Sequence, residues 1–173
     1  MTIQRLHITG PSGSGTTTLG RALAQKLCWP VLDADDYYWL PTVPPFQQKR
    51  DRDERLSRLL RDFHAQPSGI VSGSIVGWGG AIEQSFDLVI YLWLPAEVRL
   101  ARLRQREMER YGSVDPEFIA WAALYDDGDM TVRSRARHEA WLTKMRCPLL
   151  RLEADLTVEE RVNQVLAKCS GGR

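Results

Sequence analysis

The sequence predicts an α/β fold, a three-layer α/β/α sandwich around a five-stranded parallel sheet. Two observations carry that expectation. Short apolar runs of strand length alternate with amphipathic helical segments along the whole chain, the pattern of a parallel sheet covered on both faces. The first apolar run also feeds straight into a glycine-rich turn and then a helix, an order that puts a ligand loop at the carboxyl edge of such a sheet.

Arg5-Leu6-His7-Ile8-Thr9 is the first strand, and after the turn Leu19, Ala22, Leu23 and Leu27 recur at helical spacing. Pro30-Val31-Leu32-Asp33 is a second strand ending in acids. Residues 40–50 carry three prolines, which exclude regular helix and predict an ordered loop or flap. Asp51 to His64 reads as a charged helix with Leu56, Leu59, Leu60 and Phe63 on its apolar side. Gly69 to Ser74 is a third strand running into small residues, and Leu88 to Leu92 a fourth, closed by Pro95. A long helix is expected from about Ala96 to Arg110, a loop with a helical piece near Phe118 to Leu124, and another helix from about Arg133 to Lys144. Leu149 to Leu152 and Val158 to Ala167 supply the last strand and helix. The whole chain, 1–173, is expected to be one domain with a substrate-side flap at about 36–66 and a lid-like segment at about 111–137. The Gly171-Gly172-Arg173 tail is expected to fray.

Composition excludes several classes. A net charge of +1 gives no general attraction to nucleic acid or an anionic membrane. No apolar run approaches a membrane span and no signal pattern opens the chain, so a cytoplasmic location is expected. Cys28, Cys147 and Cys169 lack metal-site spacing and read as free thiols of a reducing compartment.

Gly10-Pro11-Ser12-Gly13-Ser14-Gly15-Thr16-Thr17 follows the phosphate-binding pattern G-x-x-x-x-G-K-[ST] with one change: Thr16 stands at the lysine position. In such a loop, backbone N–H groups and the helix dipole hold phosphate oxygens. Gly10, Ser12, Gly13, Ser14, Gly15, Thr16, Thr17 and Thr18 are therefore the expected ATP-binding residues. Thr17 is expected to hold Mg²⁺ together with Asp33. A lysine charge about 4 Å from a phosphate oxygen is worth ~4 kcal/mol at an effective dielectric of 20. That is roughly a thousandfold in rate. Turnover is therefore slow unless another cation takes the role.

Three further clusters bear on chemistry. In Asp33-Ala34-Asp35-Asp36-Tyr37-Tyr38-Trp39, Asp35 or Asp36 suits the acceptor of a hydroxyl proton, and the aromatics offer a stacking wall. Arg99, Arg102, Arg106 and Arg110 are spaced to share one helix face, with Arg102 and Arg106 the candidates for charge on a transferred phosphoryl group. The acidic Asp126-Asp127-Gly128-Asp129 stretch precedes Arg133, Arg135 and Arg137 as a closing lid would, making Arg133 and Arg137 candidates too. His138 reads as a structural histidine, Trp78 as a stacking or buried residue, and Trp93, Trp121 and Trp141 as buried.

With the loop, the Asp33–Tyr38 segment, the Arg99–Arg110 helix and Asp155-Leu156-Thr157-Val158-Glu159-Glu160, the chain resembles the P-loop nucleoside and nucleotide kinase superfamily over nearly its whole length. Within it, bacterial adenylate kinase-like proteins are similar. The resemblance implies a P-loop kinase-type sheet of order 2-3-1-4-5 and an aspartate base at Asp35 or Asp36. It also implies an adenine border after the fifth strand. The Asp-Gly-x-Pro-Arg element of nucleoside monophosphate kinases is absent; Val71-Ser72-Gly73-Ser74 stands near its place. The expectation is an ATP- and Mg²⁺-dependent kinase acting on a nucleoside, nucleotide or other small hydroxyl- or phosphate-bearing acceptor. The alternative is a nucleotide-binding regulatory protein with little or no turnover.

Overall fold

The computed structural model describes residues 3–171, and the tail beyond Gly171 lies outside the described residues. The chain runs β1 (Arg5–Thr9), α1 (Thr16–Leu27), β2 (Val31–Asp33), α2 (Ala34–Tyr38), α3 (Arg52–His64), β3 (Gly69–Ser72), α4 (Gly80–Glu83), β4 (Leu88–Leu92), α5 (Ala96–Tyr111), α6 (Pro116–Ala123), α7 (Arg135–Leu142), β5 (Leu149–Leu152) and α8 (Val158–Ser170). The five strands form one sheet in the order β2-β3-β1-β4-β5, and every pairing is parallel.

Side-chain alternation along the strands divides the core in two. Leu6, Ile8, Leu88, Ile90 and Leu92 face one side, where Leu19 and Leu23 of α1 and Val162 and Val165 of α8 cover them. Val71, Val89 and Tyr91 face the other, against Leu59 and Phe63 of α3 and Trp141 and Leu142 of α7. The central strands are buried on both faces, which is why they read as continuous apolar runs rather than alternating ones.

Local capping sets the helix starts. Asp51 accepts from the N–H groups of Asp53 and Glu54 at the head of α3, Asp115 caps α6 with Pro116 in its first turn, and Thr157 with Glu160 makes a capping box on α8. Two short helices depart from the expectation. The acidic run after β2, given no helix in the sequence reading, is the helix α2, because the Asp33 carboxylate accepts the Asp35 N–H at 3.2 Å. The small residues after Gly77 close into α4. Residues 40–50 form a loop pinned at both ends, with Leu40 N–H bonded to Gln48 O at 2.8 Å and Arg50 N–H to Tyr38 O at 2.7 Å.

Candidate active site

The carboxyl edge of the sheet carries β1, the glycine loop and α1. Unlike α3, α6 and α8, α1 has no side-chain cap and no acid in its first turn; its N-cap is Gly15, at φ 97°. Its first N–H groups are therefore open to an anion. Gly13 adopts φ 82°, and a Cβ there would stand 2.6 Å from Arg99 O, so the loop packs on the start of α5 as closely as backbone allows. The Ser14 hydroxyl is buried with no hydrogen-bond partner among the described residues.

Three arginines grip the loop through its carbonyls. Arg99 donates to Ser12 O at 3.4 Å, Arg161 to Ser14 O at 2.7 Å and Arg133 to Gly10 O at 2.8 Å. Within the loop the Ser14 N–H is taken by Pro11 O at 3.2 Å. At its foot the Thr17 hydroxyl donates to Asp33 Oδ2 at 2.9 Å, which brings together the two expected Mg²⁺ ligands. A hydroxyl and a carboxylate are the hard oxygen donors that Mg²⁺ takes alongside phosphates and water. Thr16 begins α1 and Thr18 lies exposed one residue past Thr17.

Asp35 and Asp36 follow on α2 with different surroundings. Desolvation, and next the Asp33 charge, push the Asp35 carboxyl above its ordinary pKa, while Arg133 and Arg106 pull it down. Asp36 is raised by the same two causes and meets only Arg21 as a counter-charge. Asp35 therefore stands between the loop acid and two guanidinium groups. Both line a cleft of about 310 Å³ with Trp39, Phe46 and Arg50. Of the expected stacking wall only Trp39 faces this cleft: the Tyr37 hydroxyl donates to Asp62 at 2.9 Å, and Tyr38 lies beneath the Arg55 guanidinium, 4.7 Å from its ring centre.

The arginine stripe of α5 does not act as a unit. Arg99 is wholly buried and bonds Leu94 O at 2.9 Å and Asp126 at 2.6 Å. Arg102 pairs with Asp155 at 2.5 Å, Arg106 with Glu107 at 3.1 Å, and Arg110 is exposed. A rise of about 1.5 Å per residue separates the first and last by about 16 Å, too far for one phosphate. In α7, Arg135 stacks over Trp93, 4.6 Å from its ring centre. Arg137 lies by Gly77, where an added Cβ would come within 3.3 Å of its guanidinium. Trp121, expected buried, is 43% exposed.

His138 is a buried hub. Its Nδ1 pairs with the Tyr125 hydroxyl at 3.0 Å, and its Nε2 with Thr9 and Ser74, each at 3.3 Å. Burial first, then the Arg133 charge, lower its pKa to about 3, so the ring is neutral. It ties α7 to the ends of β1 and β3 around the site.

Sequence reasoning missed Arg161, Arg52 and Arg55. For Arg161 a signal existed: it sits at helical spacing among Val158, Val162 and Val165, a charge on an otherwise apolar stripe. Arg52 donates to Gly77 O at 2.9 Å, and Arg55 sits 4.8 Å from the Trp78 ring centre with its Nε buried and unbonded. Neither they nor Arg137 has an ion pair among the described residues. Nothing in their sequence spacing links α3 to α7.

A phosphate loop opening an uncapped helix, with hydroxyl and carboxylate at its foot, puts the molecule in the P-loop class that this sheet order characterises. A family model described as "AAA domain" matches residues 7–119. The uncharacterized protein YqaC of Bacillus subtilis (strain 168) is 44% identical over 173 residues, spanning 94% of this chain and 96% of its own. Cytidylate kinase of Archaeoglobus fulgidus is 28% identical over 114 residues, 60% of this chain and 62% of that protein. The solved shikimate kinase from Acinetobacter baumannii, in complex with shikimate, superposes with a TM-score of 0.65 at 18% identity, over 99% of this chain and 96% of that one; at such identity the likeness is one of fold. The chain belongs to this AAA-domain family, within the P-loop nucleoside and nucleotide kinase superfamily. No described helix is long and apolar enough to cross a membrane.

Proposed function

We propose that this chain is a kinase that uses Mg²⁺–ATP to phosphorylate a hydroxyl of a small acceptor carrying an anionic group. The observation that carries the reading is the Thr17–Asp33 hydrogen bond at 2.9 Å beneath the glycine loop, with Asp35 two residues beyond Asp33 at the mouth of a cleft. The kinase names of several relatives support it.

The loop N–H groups and the α1 dipole hold the phosphates. Thr17 and Asp33 would hold Mg²⁺, which when bound neutralises charge on the outer phosphates. Asp35 orients the acceptor and takes its hydroxyl proton as that oxygen bonds to the γ-phosphorus and the bond to ADP breaks. Asp35, rather than Asp36, is assigned because the Arg133 and Arg106 charges favour its ionised form. Arg106 adds positive charge near the transferred group. Tyr38 lies one turn from Asp35 on the same side of α2, and beyond it Arg55, Arg52 and Arg137 gather at Gly77. Guanidinium groups without carboxylate partners suit an anionic end of the acceptor.

ADP release measured over matched acceptor pairs, glucose with gluconate and uridine with UMP, tests the reading. Acceptor-dependent ADP release, stronger for the anionic member and weakened through KM by Arg55→Met, is expected. Equal use of neutral and anionic members contradicts the anionic end. The Thr16 substitution favours a second reading, a nucleotide-binding regulator; saturable Mg²⁺–ATP binding with no turnover on any acceptor would establish it instead.

A further inference from the structure

Thr16 is a short neutral side chain where this class of loop carries a cation, so the positive charge must come from elsewhere. The cations around the loop can be sorted by what already holds them. Arg99 is committed to Asp126, Leu94 O and Ala122 O. Arg161 packs against Gly15, where an added Cβ would stand 3.0 Å from its guanidinium, and also bonds Ala154 O at 3.4 Å. Arg102 is paired with Asp155 and Arg106 with Glu107. On α1 itself, Arg21 lies beside Asp36, and Lys26 sits in the last turn, away from the loop.

Arg133 and Arg161 alike bond a loop carbonyl, keep a buried and unbonded Nε, and have no ion pair among the described residues. Arg133 bonds the carbonyl of Gly10, the first glycine of the loop, and differs from Arg161 in making no second hydrogen bond among the described residues. Asp35 is the acid whose charge most favours its cationic form. Arg133 thus bonds the loop while its charge acts on the acid assigned to the acceptor hydroxyl. Its guanidinium stacks 5.9 Å from the ring centre of Trp121, which fixes its approach from the lid side.

We propose that Arg133 supplies the outer-phosphate contact that the loop's lysine provides elsewhere, so that the cation has moved from residue 16 to the segment preceding α7. The inference rests on the kinase reading but concerns one residue pair. It requires Thr16 and Arg133 to be functionally coupled, because they serve one position.

The test is a double-mutant cycle of Thr16→Lys and Arg133→Met, read by Mg²⁺–ATP and Mg²⁺–ADP affinity and by kcat. Arg133→Met is expected to lower kcat by about 10³, the lower bound for an arginine serving a transferred phosphoryl group, and to weaken ATP more than ADP. Thr16→Lys should recover at least about tenfold of that loss and give little in the wild-type background. Equal effects of Thr16→Lys in both backgrounds overturn the proposal. So does Arg133→Met weakening ATP and ADP alike, the signature of a merely structural bond to Gly10. If Arg133→Met fails to fold, Arg133→Lys keeps the charge, and a preserved ATP-over-ADP preference is then expected; its loss overturns the proposal. Turnover with an additive cycle removes only this inference, whereas no binding of Mg²⁺–ATP to wild-type protein removes the kinase reading with it.

Discussion

Asp126→Asn probes the clamp that fixes the glycine loop. Arg99 is fully buried, bonds the Asp126 carboxylate at 2.6 Å, and reaches Ser12 O and Ala122 O, each at 3.4 Å. One guanidinium thereby joins the loop, α5, α6 and the segment after α6. Removing one partner of a buried ion pair costs about 3–5 kcal/mol, because the other charge stays buried and unpaired. The Asp126 side chain is 23% exposed, so water partly replaces it. We therefore take the lower end, about 3 kcal/mol. The Trp93 indole N–H, bonded to the same carboxylate at 2.7 Å, retains an acceptor in the asparagine oxygen. A domain of this size shifts by about 2–4 °C per kcal/mol, so the melting temperature should fall by about 6–12 °C. Urea titration and thermal melts measure both. Arg99→Met combined with Asp126→Leu should cost less than the sum of its single changes, since no charge is left behind. A loss below about 1 kcal/mol for Asp126→Asn would refute the reasoning.

Two further outcomes follow from the acids and histidines. Asp35→Asn should lower kcat by about 10²–10⁴ with ATP affinity nearly unchanged. Because desolvation and Asp33 raise the Asp35 pKa, and the ionised form accepts the proton, the acid limb of kcat/KM should lie above the ordinary carboxylate range. A loss under tenfold, or an unchanged acid limb in the variant, counts against Asp35 as the base. His7 and His138 are both lowered to about 3, mainly by burial, so between about pH 3 and 6.5 the unfolded chain binds protons that the folded chain does not. Stability should therefore fall as pH drops through that window, by about 2 kcal/mol per histidine from pH 7 to pH 5. Urea unfolding at the two pH values checks it, and a flat profile refutes it.

The strands and helices were legible because each strand is a short apolar run next to a helix-period segment, whereas the order 2-3-1-4-5 was implied only by the resemblance to P-loop kinases. The loop was legible because glycine spacing alone writes the phosphate cradle. The acidic run was read for its chemistry and given no helix, although an N-cap aspartate followed by Asp35 and Asp36 can start one. The α5 stripe shows what periodicity omits. It gives the azimuth of Arg99, Arg102, Arg106 and Arg110 but neither their distance along the axis nor their partners, and Asp126, Asp155 and Glu107 decided those. Arg55 and Arg137 meet at the Gly77–Trp78 turn only through tertiary packing, which no local pattern records.

Isothermal titration of wild-type protein with Mg²⁺–ATP tests most directly whether the loop at 10–17 holds a polyphosphate without its own lysine. The account predicts a saturable heat that weakens when Mg²⁺ is withheld and when Thr17→Val removes the hydroxyl bonded to Asp33. Folded protein giving no heat with any magnesium–nucleoside triphosphate would contradict it.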